Sequence, residues 1–285
     1  MRAFCPCHVT GFFALRDKGQ TILSEGCGIV LSAGATTDAS VGSDSVFING
    51  DRSDAPTTAT VVELLTDKPL DIRTSLSLPM SCGFGTSGAG ALSTALAIND
   101  TLKLNYSLNT LRSIAQRAEI VQKTGVGDVI AQVIGGLVLR RLDGVDRIPV
   151  PPTAISLAIF GEIPTAQIIS DKEIMRAINT HGTHAIKSLD RKPTFETFMH
   201  LSKEFAYNSG VVSDRARDAI ETVEAAGGLA SMAMLGDAVF AVDPSGALDE
   251  FKNVVTTTVY HCSAHLVDPV EKARPNMRVN AVKFL

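Results

Sequence analysis

A chain of 285 residues is long enough for one large domain or two of ordinary size, and 45% hydrophobic with 20% charged residues is the balance of a water-soluble globular protein. The net charge of −4 and a pI near 5.9 argue against a surface built for nucleic acid or anionic membrane. No apolar run approaches the roughly eighteen residues of a membrane span, and the N-terminal MRAFCPCHVTG lacks the apolar core of a signal peptide, so the expected compartment is the cytoplasm. Five cysteines, an odd number, do not suggest a disulfide framework in that setting. Cys5-Pro6-Cys7-His8 has no second pair to complete a zinc site, so the thiols are expected to be buried or half-buried. Tryptophan is absent and aromatics are 5% of the chain, which leaves no stacking platform for bases.

The first half reads mainly as strands. Residues 3–15, 22–32 and 45–48 are β-type runs separated by Gly, Asp and Ser. A short helix over 59–65 is bounded by Pro56 and Pro69, and a strand over 70–78 leads into a loop of small residues containing Gly83, Gly85, Thr86, Ser87 and Gly88. A helix over 89–98 follows. Strand, glycine loop and helix N-terminus together make an anion site, because the first helical turn leaves its N–H groups unpaired and its dipole favours negative charge. The hydroxyls of Thr86 and Ser87 add possible hydrogen bonds or a magnesium ligand. Gly83, Gly85 and Gly88 also satisfy the dinucleotide fingerprint, but that needs an acidic residue at the end of the next strand, and Asp100 closes the same helix instead. A Walker A loop needs Gly-Lys-Ser/Thr, and no Lys occurs between Lys68 and Lys103. The plain alternative is a glycine loop that only turns the chain.

The spacing of Leu111, Ile114, Ala115, Ala118 and Val121 predicts a helix over 107–123. Gly125-Val126-Gly127 ends it, Asp128 opens a shorter helix that stops at Gly135-Gly136, and 137–142 reads as a strand. Asp128 is the strongest carboxylate for taking a proton from an acceptor hydroxyl, although Asp is also a favoured N-cap for a helix over 129–134. Glu119 is open to two readings. It is a candidate metal ligand, and it also falls with Arg112, Gln116 and Gln122 on the polar side of its helix, four residues before Lys123. Pro149-Val150-Pro151-Pro152 is the best candidate boundary. Beyond it come a strand (154–160), helices near 171–188, 194–207 and 213–226, a loop over 227–236, a strand (238–242), a helix near 247–255 and β runs at 257–262 and 278–284. Strands and helices in mixed order suggest an α+β fold rather than repeating βαβ units.

Pro79-Met80-Ser81-Cys82-Gly83-Phe84-Gly85-Thr86-Ser87-Gly88-Ala89 resembles, position by position, the ATP loop of the GHMP kinases, the family of galactokinase, homoserine kinase and mevalonate kinase. The resemblance implies a two-lobed α+β fold, with a mixed-sheet N-terminal lobe over 1–150, a ferredoxin-like C-terminal lobe over 151–285 and the active site between them. It implies ATP and Mg2+, with Pro79, Gly83, Gly85, Thr86, Ser87, Gly88 and Ala89 around the phosphates and Ser87 with Glu119 on the metal. TGVGDVIAQVIGG, residues 124–136, looks like the segment that supplies the family's catalytic base, here Asp128.

Pro6-Cys7-His8-Val9-Thr10-Gly11-Phe12-Phe13 resembles the start of the family's archaeal pantoate-phosphorylating branch, with Cys7 where a Gly is usual. That implies pantoate as acceptor, phosphorylated on its 4-hydroxyl on the way to coenzyme A, with His8 and Thr10 as acceptor contacts. Arg16 is a further candidate for the substrate carboxylate, since Arg binds one through two hydrogen bonds. The family's glycine-rich third loop corresponds to residues 227–237, where Ser231, Met232 and Met234 stand in place of glycines; this form also fits that branch and assigns no role to Ser231. The resemblance further suggests a homodimer. Composition and spacing alone stop at a kinase-like phosphate binder. A kinase of another small hydroxy acid or alcohol (homoserine, mevalonate, shikimate) and a non-catalytic nucleotide sensor remain as alternatives.

Overall fold

The fold is built on one long antiparallel pair, β1 (Arg2–Asp17) and β2 (Ile22–Val41). The computed structural model describes residues 1–17, 22–125, 127–163 and 171–267. Ala3, Cys5, Cys7 and Val9 alternate along β1 and are fully buried, the pattern of a strand with one face in the core. The register slips between Pro6 and Cys7, where proline has no N–H to give the ladder, and again between Thr10 and Phe12. β2 continues past residue 32 to Val41 because Ala33, Ala35, Thr37 and Ala39 keep every second side chain buried.

Around this pair lies the first sheet. β3 (Ser45–Ile48), β4 (Asp51–Arg52), β5 (Leu70–Leu76) and β12 (His265–Leu266) give the order β12-β1-β2-β5-β3-β4. β6 (Leu137–Arg141) pairs with β2 and with β7 (Gly144–Ile148), an edge strand that its mostly exposed residues concealed in the sequence. The helices α1 (Pro56–Leu65), α2 (Thr86–Leu102), α3 (Leu108–Gln122) and α4 (Asp128–Gln132) belong to this half. The Ala, Gly and Ser content of α2 lets it lie close against the sheet, where Ser93 Oγ meets Thr37 Oγ1 at 2.7 Å and Thr37 Oγ1 meets Thr74 Oγ1 at 2.9 Å.

The second sheet has the order β11-β8-β10-β9, formed by β8 (Ala154–Glu162), β9 (Leu229–Met232), β10 (Gly236–Val242) and β11 (Val254–Thr258), all antiparallel. Its helices α5 (Lys172–Arg191), α6 (Phe195–Asn208) and α7 (Asp214–Ala225) start at side-chain caps from Asp171, Thr194 and Ser213. The region read as a loop over 227–236 contains β9. The helix expected near 247–255 is a 3-10 turn, Ala247–Glu250, followed by β11. A ferredoxin-like lobe would place its second helix at that turn, between β10 and β11. The β run expected at 278–284 lies outside the described residues.

Phe12 and Phe13 of β1 stack with Phe198 and Phe205 of α6, and Phe198 meets Phe240 of β10, so one core runs through both sheets. Among the described residues no helix is long and apolar enough to cross a membrane.

Candidate functional site

The N-terminus of α2 is the centre of the site. Its N-cap, Gly85, is left-handed (φ 59°), and a Cβ there would come within 3.1 Å of Asp128 Cγ and 3.2 Å of the His8 carbonyl oxygen. The loop is tied on both sides: the His8 N–H donates to Phe84 O at 3.0 Å, and Gln132 Nε2 donates to Gly85 O at 2.9 Å. Glycine is needed at position 85 because Asp128 and the first strand both press on it. α2 itself starts at Thr86, three residues before the expected start, which brings Thr86 and Ser87 into its first turn.

Asp128 does not cap α4. Gly127 occupies the cap position, Asp128 is the first helical residue, and its carboxylate reaches His8 instead: Nδ1–H donates to Oδ1 at 2.7 Å. The hydrogen bond places a proton on Nδ1, while His8 Nε2 is enclosed against Gly28 with no partner among the described residues. Arg140 of β6 packs against the Gly127 backbone and feels the charges of Asp128 and Glu25, although burial is the larger influence and lowers its pKa. Its Nη2 donates to Ser24 Oγ at 2.8 Å. Glu25 in turn accepts from Arg16 Nε at 2.7 Å, and Arg16 Nη2 donates to Thr183 Oγ1 at 2.9 Å. Charges therefore alternate from Arg16 through Glu25 and Arg140 to Asp128. Thr10 is half-buried, and its carbonyl accepts from Met234 N at 3.0 Å.

Glu119 is fully buried, which overturns the solvated-face reading. α3 turns it toward α2 and the loop after α3, so that Oε2 lies 3.0 Å from where a Gly88 Cβ would sit and Oε1 lies 2.8 Å from that of Gly125. Among the described residues neither oxygen has a hydrogen-bond partner. Burial, reinforced by the charge of Asp128, pushes the carboxyl up to about 8, with the nearby Ser87 hydroxyl pulling the other way. Ser87 Oγ donates to Thr57 Oγ1 at 3.4 Å, which in turn lies 3.3 Å from Thr124 Oγ1. Two orphaned carboxylate oxygens, neighbouring hydroxyls and space kept open by Gly88 and Gly125 fit a magnesium ion, which takes hard oxygen ligands.

The thiols of Cys5 and Cys7 are buried in β1, and burial drives both upward, with the charge of Asp128 adding to the effect on Cys7. Ser231 Oγ is enclosed in β9 without a partner among the described residues. Sequence reasoning missed Arg140, Glu25, Gln132 and Thr57. A signal was present for the first two, since a charge inside an otherwise apolar or glycine-rich strand needs a buried partner. An open cavity of about 520 Å³, lined by Arg147, Pro149, Val150, Pro151 and His261, gathers no carboxylate or hydroxyl cluster and is not the candidate site.

Residues 57–136, from the start of α1 past the end of α4, match the family model described as GHMP kinases N terminal domain. A pantoate kinase of Methanocaldococcus jannaschii is 31% identical over 273 residues, spanning 90% of this chain and 100% of that one. A pantoate kinase of Thermococcus kodakarensis is 30% identical over 269 residues, 85% of this chain and 87% of the other. A solved structure described as a phosphotransferase related to the CoA biosynthesis pathway superimposes with a TM-score of 0.77 at 26% identity, covering 92% of this chain and 97% of that chain. With a glycine-loop helix N-terminus facing a paired aspartate and with kinship along nearly its whole length, the chain belongs to the GHMP kinase family.

Proposed function

We propose that the chain transfers the γ-phosphoryl group of ATP to the 4-hydroxyl of pantoate, giving 4-phosphopantoate on a route to coenzyme A, in the cytoplasm. The observation that carries the chemistry is the Asp128 carboxylate held against Gly85, the N-cap of α2. A proton acceptor thus stands next to amides suited to phosphate oxygens. Kinship to pantoate kinases over most of the chain supports the acceptor.

In this reading the backbone of residues 83–89 cradles the phosphates. Ser87 and Glu119 would hold magnesium, which supplies neutralising charge for the β- and γ-phosphates when bound. Asp128 takes the proton of the 4-hydroxyl as that oxygen bonds to the γ-phosphorus and the bond to the β-phosphate oxygen breaks, releasing ADP. Arg140 and the one-third-exposed Arg16 supply positive charge for the pantoate carboxylate. α1 extends the site toward a nucleoside: Thr57 at its start touches Ser87, and Ala59, Val62 and Glu63 line a cavity of about 250 Å³ with Arg52 and Leu70.

The test is ADP release from ATP and magnesium, with pantoate compared against homoserine, mevalonate and shikimate. Pantoate alone is expected to drive turnover. Turnover of another acceptor moves the chain to a different branch, and nucleotide binding without any turnover makes it a sensor.

His8 enters as a positioning residue for the base, because its Nδ1 is committed to Asp128. His8→Asn keeps a donor near that place and is expected to retain most of kcat. His8→Leu leaves the carboxylate without its donor and is expected to lower kcat roughly 10-fold, by analogy with the worth of a hydrogen bond to a charged group. Steady-state kinetics of the pair decide it, and equal losses in both variants would remove the assignment.

A further inference from the structure

We propose that Asp237 is a positioning residue that latches the third loop onto the phosphate loop and so sets the affinity for the nucleotide; this rests on the reading that the phosphates lie on residues 83–89. Asp237 is 6% exposed and stands at a register shift of β10, between Asp237 and Ala238. The carboxylate meets the start of α7. Oδ1 accepts from Ser213 Oγ at 2.6 Å and Oδ2 from Arg215 Nη2 at 3.0 Å. Ser213 is also the N-cap of α7, accepting from Ala216 N at 3.1 Å, so the anchor is a fixed point of the second lobe.

The residue before the latch touches the phosphate loop. A Cβ on Gly236 would overlap the Cys82 carbonyl and the Gly83 amide, and from the other side a Cβ on Gly83 would lie 2.9 Å from Met234 O. Between them Leu235 is held at φ 65°, a left-handed conformation that a Leu keeps only where its surroundings impose it. Met234 N on Thr10 O holds one end of this turn, and Asp237 on α7 holds the other. Without the latch, Leu235 relaxes and Gly236 withdraws from the Cys82–Gly83 peptide. The phosphate loop then keeps its ties at Phe84 and Gly85 but loses its support under Cys82 and Gly83. His8 is paired in β1 and bonded to Asp128, and Arg140 is held in β6, so the acceptor side keeps its geometry through contacts outside the Cys82–Gly83 segment.

The experiment is titration of the full chain with a fluorescent ATP analogue and magnesium, alongside the KM for pantoate, for the parent, Asp237→Ala, Asp237→Asn and Arg215→Ala. Loss of two hydrogen bonds to a buried charge is expected to weaken nucleotide binding about 10-fold in Asp237→Ala. Asp237→Asn should fall between that variant and the parent, since its carbonyl still accepts from Ser213. In Arg215→Ala, which alters a side chain 65% exposed and so spares the fold, binding should weaken about 3-fold. The KM for pantoate should stay within about twofold throughout, a split that general damage to the fold does not give. Unchanged nucleotide affinity in Asp237→Ala and Arg215→Ala overturns the latch, as does an equal loss on both substrates. A parent that binds no nucleotide overturns the functional reading instead.

Discussion

Asp128→Asn is expected to lower kcat by about a thousand-fold while leaving nucleotide affinity close to that of the parent, the loss typical of a missing general base. The substitution is isosteric, so the side chain still fits beneath Gly85, and its carbonyl oxygen still accepts from His8 Nδ1. What it cannot do is take a proton. Asp128→Ala also removes the partner of His8 and should lose more, with some loss of stability as the imidazole is left without its acceptor. Steady-state kinetics on ATP and pantoate, with ATP binding followed separately, make the comparison. A variant that keeps a tenth of the parent's kcat would move the proton acceptor elsewhere.

The parts of this site legible in the sequence are those that depend on local geometry. Gly83, Gly85, Thr86 and Ser87 announce a helix N-terminus for anions because backbone conformation and capping are short-range effects. Leu111, Ile114, Ala115, Ala118 and Val121 announce one face of α3 for the same reason; Leu111, Ala115 and Ala118 are buried and Ile114 half-buried, but Val121, at the end of the helix, is exposed. Periodicity misleads at Glu119. It ranks a glutamate with Arg112 and Gln122 on the polar side, and what buries the carboxylate is the packing of α2 at Gly88, a long-range contact with no trace in the helix itself.

The Arg16–Glu25–Arg140 array was hidden likewise, since it depends on β6 pairing with β2 at Gly26 and Arg140. The stretch 247–255 failed for a local reason. Asp243 captures the N–H groups of Ala247 and Leu248 at 2.9 and 2.8 Å, which closes a turn rather than opening a helix. The β-branched Val254, Val255, Thr256, Thr257 and Thr258 then favour a strand.

Glu119→Gln carries the second large effect, and its sign can be worked out. In the metal-free chain the carboxyl titrates near 8, far above its ordinary 4.5, so between those values the folded state holds a proton that the unfolded state has released. Stability must then fall as pH rises from about 5 to 8, because the unfolded state binds fewer protons over that window. Glutamine does not titrate, so the metal-free variant should lose less stability between pH 6 and pH 9 than the metal-free parent. Asp128→Asn should make that fall smaller and complete it at lower pH, because removing a negative neighbour lets Glu119 ionise more readily in the folded state.

A bound divalent cation reverses the ranking. It rewards the ionised carboxylate, so magnesium with a non-hydrolysable ATP analogue should raise the Tm of the parent more than that of Glu119→Gln, and more at pH 8 than at pH 6. Turnover of the variant should fall about a hundred-fold. Thermal unfolding with and without magnesium, at the two pH values, separates the metal-ligand role from a merely structural one. If the two proteins gain equally from the cation, Glu119 is a buried acid that the fold tolerates, and the metal must be held by other oxygens around Ser87.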